Sequence, residues 1–499
     1  MPNIFKQFCA DEKGSVFVLV ALSSLLMIMA GGAAIDMARA QTLQAKISSS
    51  LDAAGLAAGA TASSVDPTTQ ATRYFNANFP TGYLNSGAVT LNITCADMNG
   101  NTVTCSSAST YTINLSASTR EPTTFMKVVG INSIPVSANS QITRQTSGLE
   151  LALVLDNTGS MGNAVNGGSV TTSNPAKIDA LKCALAGDAA FGTTSTRCEN
   201  EGLVTSGLLD ILYGNNNTLS DLFIGVVPFS DMVNLNITAA PGSSFVNNVT
   251  ASNKTSMGGC VDSRSYSINS TTDSGISVPV GEGPITLDIS DDPPSSSSSN
   301  TYFQALIKSG NSTCPKADVQ PMSLYKSDAV ATIKSMTANG STMIQLGFAW
   351  GWRMLSPNWT GLWGSTPTFT YPDTTTTVQL PLPYNTEKML KVIVLMTDGV
   401  NTTAHSDSAY ENFSTYPDTT TKLDKLTYTV CDAIKSKGII VYTIGFGSSS
   451  DIDTTLLKHC ATQNYTGDTS HYFLAPSNAD LEAAFQQIGD QLANLRVSQ

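Results

Sequence analysis

The chain has 499 residues, too many for one ordinary hydrophobic core, so two or three domains are expected. A net charge of −12 argues against nucleic acid or an anionic membrane surface as the main partner. With 41% hydrophobic residues the chain does not read as disordered, and with only 13% charged residues, and Ser, Thr and Asn abundant, it reads as an exported protein with weakly charged loops.

Residues 1–13 carry Lys6, Cys9 and Lys13 and are read as a cytoplasmic tail. Residues 14–35 contain no charge; as a helix this run extends about 33 Å, enough for a bilayer core. A cleaved signal peptide ending near Ala33 is the rival, but the run is longer than a usual signal core, and a helix-favouring pattern rich in Ala, Leu and Gln continues over 36–60. An uncleaved transmembrane helix over 14–35 is therefore expected. Lys6 and Lys13 before the span are balanced by Arg39 and Lys46 after it, so cysteines rather than charges place the amino end inside. Nine cysteines are many for a cytosolic protein. They fall as neighbours, Cys95 with Cys105, Cys183 with Cys198, Cys260 with Cys314 and Cys431 with Cys460, with Cys9 left over on the other side of the span. Disulfides in an oxidising compartment would account for this parity, although sequence alone does not fix connectivity. The absence of C-x-x-C argues against zinc or thioredoxin-like chemistry.

Residues 36–148 combine the continuing helix with a short helix near 68–78, strand-like runs over 88–94 and 111–117, a helical piece over 122–129 and a further strand over 134–143. A long amino-terminal helix against a small antiparallel sheet is the plan of a pilin-like α+β module. With Gly14, the apolar run, Asp36, Arg39 and the stretch LQAKISSSLDAAGLAAG, this segment resembles the TadE/TadG-like proteins of Tad (tight-adherence, Flp) pilus assembly.

In 149–499, strands and helices alternate: strands at 151–155, 222–228, 392–396, 439–444 and 471–474; helices at 176–190, 324–338, 343–354, 422–437 and 478–495. That alternation predicts a doubly wound, mostly parallel α/β sheet, with ligands at the carboxyl ends of its strands. The first strand ends in Asp156-Asn157-Thr158-Gly159-Ser160, and the run 391–396 ends in Thr397-Asp398-Gly399. A carboxylate and two hydroxyls spaced two residues apart offer the oxygen ligands a hard cation prefers. Between two helical patterns lies Asn339-Gly340-Ser341-Thr342. These residues resemble the metal-ion-dependent adhesion site of the von Willebrand factor A (vWA) family: D-x-S-x-S, a Thr on a second loop and an Asp on a third. The correspondence is Asp156, Thr158, Ser160, Thr342 and Asp398, with Thr158 departing from the usual Ser but keeping the hydroxyl, and with Ser341 and Thr337 close to Thr342. The resemblance implies a Rossmann-like fold and a divalent cation, Mg2+ first and Mn2+ or Ca2+ as alternatives, whose shell an acidic group of a partner completes.

Two stretches interrupt the vWA order, at about 235–320, with its run DDPPSSSSSN, and at about 356–386, rich in Thr and Pro. Trp350, Trp352, Trp359 and Trp363 cluster after Thr342, and two readings stand: packing of the second insertion onto the sheet, or an aromatic partner surface beside the metal. The strings WGWRMLSP, CVDSR, YTIGFG and LANLRVSQ are similar to TadG-type vWA proteins. His405, His459 and His471 show no ligand spacing, with His405 a lone loop residue near Asp398. No G-x-S-x-G, P-loop or H-E-x-x-H occurs, and no general acid or base can be named, so no enzyme is expected. The resemblance implies a bacterial inner-membrane protein with its bulk periplasmic or at the cell surface, bound to pilus or adhesion proteins through the metal. A scaffold whose metal only orders loops is the alternative, and a metal-dependent hydrolase the remotest.

Overall fold

The computed structural model describes residues 15–60, 66–96, 101–105, 110–145, 147–192, 195–235, 245–247, 259–261, 263–266, 277–279, 286–294, 303–304, 314–364, 367–371, 376–402, 419–463 and 471–498. Cys9 and His405 lie outside them. The chain divides into two compact units, one over residues 1–61 and 65–144, the other over 62–64 and 145–499.

In the first unit a single helix, α1, runs over Ser15–Gly59. It is long and apolar enough to cross a membrane. Its first part exposes large side chains on all sides, Leu19, Leu22, Leu26 and Ile28 among them. From Ala40 onward a stripe of Leu43, Ile47, Leu51 and Ala54 is buried at helical spacing. That stripe packs with Phe75 of α2 (Pro67–Asn78) and with Ile113 and Leu115 of the sheet. Asp66 caps α2, accepting from the amides of Thr68 and Thr69, with Pro67 at the first helical position. Strands β1 (Thr90–Ala96), β2 (Thr102–Val103), β3 (Thr110–Pro122) and β4 (Ser133–Gln145) form a sheet in the order β2-β1-β3-β4. The helical piece expected over 122–129 is corrected: β3 runs on to Pro122, and only a 3-10 turn, Met126–Val129, follows before Gly130 at φ +86° ends it.

The second unit is built on a six-stranded sheet. Its strands are β5 (Gly148–Asp156), β6 (Leu222–Phe229), β7 (Gln320–Ser323), β8 (Met389–Thr397), β9 (Ile440–Phe446) and β10 (Tyr472–Ala475). They lie in the order β7-β6-β5-β8-β9-β10, with β7 antiparallel to β6 and the other neighbours parallel. Strand β5 is buried on both faces. Leu149, Leu151, Leu153 and Leu155 enter one core with α3 (Lys177–Ala186), α4 (Leu208–Tyr213), α5 (Lys326–Ser335) and α9 (Asn478–Ser498). Ala152 and Val154 enter the other with α6 (Ile344–Leu355), α7 (Thr419–Ser436) and α8 (Thr454–Cys460). A strand covered on both faces reads as a continuous apolar run, which explains LALVL. Two expectations need correction here. The helix expected over 176–190 stops at Ala186, because Gly187 sits at φ +57° with Thr205 where a Cβ would go. Strand β7 was not expected; its Pro321 is tolerated because β7 is an edge strand.

Four disulfides join Cys95 to Cys105, Cys183 to Cys198, Cys260 to Cys314 and Cys431 to Cys460, the neighbour pairing. The aromatic-surface reading of the tryptophans is overturned: Trp350, Trp352, Trp359 and Trp363 are at most 2% exposed. The rings of Trp350, Trp359 and Trp363 pack edge-on or tilted against one another and against Phe245 and Phe303 of the first insertion. The Trp359 indole donates to the carbonyl of Asp291, and that of Trp352 to the Tyr384 hydroxyl. Aromatic pairs of this kind contribute about 0.5–1.5 kcal/mol beyond their area, so the cluster closes the core under both insertions.

Candidate metal centre

The chain enters the sheet at β5, next to both β6 and β8. Connections leave in opposite directions from this pair, so the carboxyl ends of β5 and β8 flank a crevice at the switch point of the sheet. Leu155 pairs with Met396 in the β5–β8 ladder, and the chain then turns at Asp156 and at Thr397-Asp398. Parallel register thus brings together two carboxylates 242 positions apart in sequence.

Asp156 is fully buried. One of its oxygens accepts the Thr158 amide at 2.8 Å, an Asx-type turn that folds the D-x-T-x-S segment back on itself. The other accepts the Thr397 hydroxyl at 2.7 Å and the Asp398 amide at 3.3 Å. The Thr158 and Ser160 hydroxyls lie 2.9 Å apart, and Ser160 donates to Asp398 at 2.6 Å. Asp156, Thr158, Ser160 and Asp398 therefore form one hydrogen-bonded cluster. Thr158 is buried, Ser160 is half-buried and Gly159 is exposed, so the cluster meets solvent on the Gly159–Ser160 side.

Thr342 is brought near by a different route. The loop between α5 and α6 is tied to the turn through Asn157, which donates to Thr337 O and accepts from Thr337 N–H. Gly159 N–H donates to Gly340 O at 2.9 Å, and Asn339 N–H to Asn157 O at 2.8 Å. Gly340, at φ +87°, has Asp231 and Ser230 where a Cβ would go, so only glycine lets this loop lie so close. Thr342 itself is buried and joins the segment after β8: its N–H donates to the Thr402 hydroxyl, and its carbonyl accepts from Thr402 N–H.

Charge balance decides what the cluster can hold. Burial first, and the neighbouring Asp398 charge second, push the Asp156 carboxyl up to about 7. The cation paired with the cluster is Lys177, whose ammonium lies 3.0 Å from Asp398. Lys177 offsets Asp398, and among the described residues Asp156 has no ion-pair partner, so a second cation would take the place of the Asp156 proton. Every donor in the cluster is a carboxylate or hydroxyl oxygen, the set a hard divalent ion takes. Among the described residues no group of three His, Cys, Asp or Glu side chains is arranged to hold a metal ion. An ion here would therefore depend on hydroxyls and on oxygens from outside the chain. Asp156 with Thr158 and Ser160 would hold it, with Asp398 behind Ser160. The bound ion would supply a Lewis-acidic, positively charged point open to an anionic group.

Lys177, Thr397 and Asp231 were not expected near the site. Lys177 heads α3 with no motif around it. Thr397 was read only as part of a strand end. Asp231 lies two residues past β6, much as Asp156 closes β5 and Asp398 follows β8, and accepts the Ser341 amide at 3.3 Å. His459 pairs with Asp432 instead, and the His471 ring lies against that of Tyr442.

No family model and no curated protein sequence matches the chain. Among solved structures, the PilB minor pilin from Streptococcus sanguinis is similar at 13% identity and a TM-score of 0.34, over 83% of this chain and 80% of that one. An aspartate-to-alanine variant of the same pilin gives 13% identity and 0.32, over 81% and 79%. Likeness at these scores is too slight to assign a fold or a role.

Proposed function

We propose that this chain is a membrane-anchored vWA-type protein that grips an acidic group of a partner protein through a divalent ion at Asp156, Thr158 and Ser160, with Thr342 and Asp398 around them. The observation that carries the reading is the oxygen cluster at the switch point, in which Ser160 links Thr158 to Asp398 and, among the described residues, Lys177 pairs with Asp398 while no cation pairs with Asp156. The strand order, with one antiparallel edge strand beside five parallel ones, supports a vWA-type sheet. Mg2+ is the proposed ion, because the oxygens are hard and few, and Mg2+ keeps waters that a partner carboxylate can replace.

The anchor is α1, uncleaved, with the amino end cytoplasmic and both units in the periplasm or at the cell surface of a bacterium. Four disulfides support that side of the inner membrane, since such bridges persist in oxidising compartments. The Tad/Flp pilus or tight-adherence system is proposed from the sequence resemblances in the anchor and around WGWRMLSP and YTIGFG. The reading is non-enzymatic. A metal-dependent hydrolase of the D-x-D type would take a second carboxylate where Thr158 stands.

A pull-down from membranes, with and without chelator, tests the proposal. A partner retained with Mg2+ and released by chelator, while the circular dichroism spectrum is unchanged, is expected. A partner retained equally in both would favour an assembly scaffold in which an ion only orders the loops.

A further inference from the structure

The base of the first unit carries an apolar turn with no function so far. Around the 3-10 turn Met126–Val129, Phe125 is 39% exposed, Val128 79%, Val129 57% and Ile131 43%. Large apolar side chains clustered in one short turn, in a sheet module whose other apolar residues mostly enter the core, call for a cover.

The position of the turn along α1 indicates the cover. The Asp36 carboxylate is buried and accepts the amides of Thr124 at 3.0 Å, Phe125 at 2.8 Å and Met126 at 2.8 Å. Arg39, one turn further on, pairs with Glu121 at 2.9 Å and donates to Leu84 O. Going the other way, a Cβ on Gly32 would lie 2.5 Å from Cβ of Phe125. Phe125 thus rests on the uncharged segment 14–35, while Thr124 is held at Asp36, the first charged residue after it. Gly32 and Asp36 differ in height by about 6 Å along the helix. The turn is therefore fixed at the level where the apolar span ends, and its side chains continue the exposed apolar surface of α1 rather than the module's polar surface.

We propose that residues 125–131 form a second membrane contact, in which Phe125, Val128, Val129 and Ile131 enter the headgroup–acyl boundary of the bilayer that α1 spans. Lys127, exposed in the same turn, has the long stem and charged head suited to lipid phosphates. Asp36 and Arg39 fix the turn to the helix, so the module is held against the bilayer at two points. The inference rests on the anchor reading of α1.

The test uses the full chain in vesicles of phosphatidylethanolamine and phosphatidylglycerol containing lipid brominated near the glycerol end of the acyl chains. The native tryptophans are buried, so the wild type gives a low baseline of quenching. Tryptophan is introduced in two variants, Val128→Trp in the turn and Leu56→Trp on the exposed far part of α1, with Leu56 itself 65% exposed. The expected result is emission at shorter wavelength and strong loss of the added fluorescence for Val128→Trp, with Leu56→Trp unaffected by bromine. If the protein floats with the vesicles but the tryptophan at 128 is no more quenched than that at 56, the turn does not touch lipid and the inference falls while the anchor stands. If the protein does not float with the vesicles, the anchor reading fails and this inference with it.

Discussion

The two ends of the β5–β8 strand pair bury charge in opposite ways. At the amino end, Glu150 of β5 faces its register partner Lys391 of β8. The ammonium also donates to Leu355 O at 2.9 Å, and the carboxylate accepts the Leu382 amide at 2.8 Å. Burial raises the Glu150 carboxyl and lowers the Lys391 ammonium, and each is partly restored by the other. One charge meets one charge, and the set is closed. At the carboxyl end, six residues along the same strand, Lys177 pairs with Asp398 while no cation among the described residues pairs with Asp156, which is raised to about 7. That set is open. A closed pair holds strands together; an open one costs stability until something cationic arrives.

The largest expected effect breaks the closed end. Glu150→Ala leaves Lys391 buried without its counter-charge and should cost about 3–5 kcal/mol, as removal of one partner from a buried pair does. Chemical denaturation should show this loss equally with Mg2+ and with chelator; a loss that Mg2+ repaired would mean the two ends are not independent.

The open end should respond to pH. The Asp156 carboxyl, raised from 3.8 to about 7 in the native state, keeps a proton there that the unfolded chain has lost. Its contribution to stability is therefore fully present below about pH 4 and lost as pH rises through 7, by an amount on the order of 2–4 kcal/mol. Melting of chelated protein should show that fall, and Asp156→Asn should lack this share of it. A wild-type profile identical to that of Asp156→Asn would show that burial and Asp398 do not hold the proton.

Lys177→Met sharpens the balance itself. Without the ammonium the cluster is more negative, so Mg2+ should bind about tenfold tighter, a gain of about 1.4 kcal/mol. Weaker binding would mean that Lys177 orients Asp398 rather than offsets it. The smallest effect is expected for Thr158→Ser, which keeps the hydroxyl: stability and ion affinity should stay within about 0.5 kcal/mol of wild type.

Much of the open end was legible in the sequence, because β5 and β8 are covered on both faces and so appear as unbroken apolar runs, each followed by its carboxylate. Residues that act through a distant partner were not. Lys177 reaches Asp398 across 221 positions, and a lone lysine at a helix start carries no local mark. Strand β7 was hidden because an edge strand bonded on one side needs neither length nor alternation, and Gln320–Ser323 has neither. Tryptophan spacing marked an aromatic cluster but could not say whether water or the insertion covered it; Phe245 and Phe303, far upstream, decide that. The long apolar helix was readable from the lack of charge over 14–35, whereas the turn packed on it needed the Asp36 contacts.

The central claim is that Asp156 anchors a divalent ion. Calorimetric titration of the full chain with Mg2+ and Mn2+, wild type beside Asp156→Ala, tests it most directly. Saturable binding by wild type and none by a folded Asp156→Ala is predicted, with Ser160→Ala and Thr158→Ala in between. Equal binding by wild type and Asp156→Ala would contradict the account and leave the cluster a structural one.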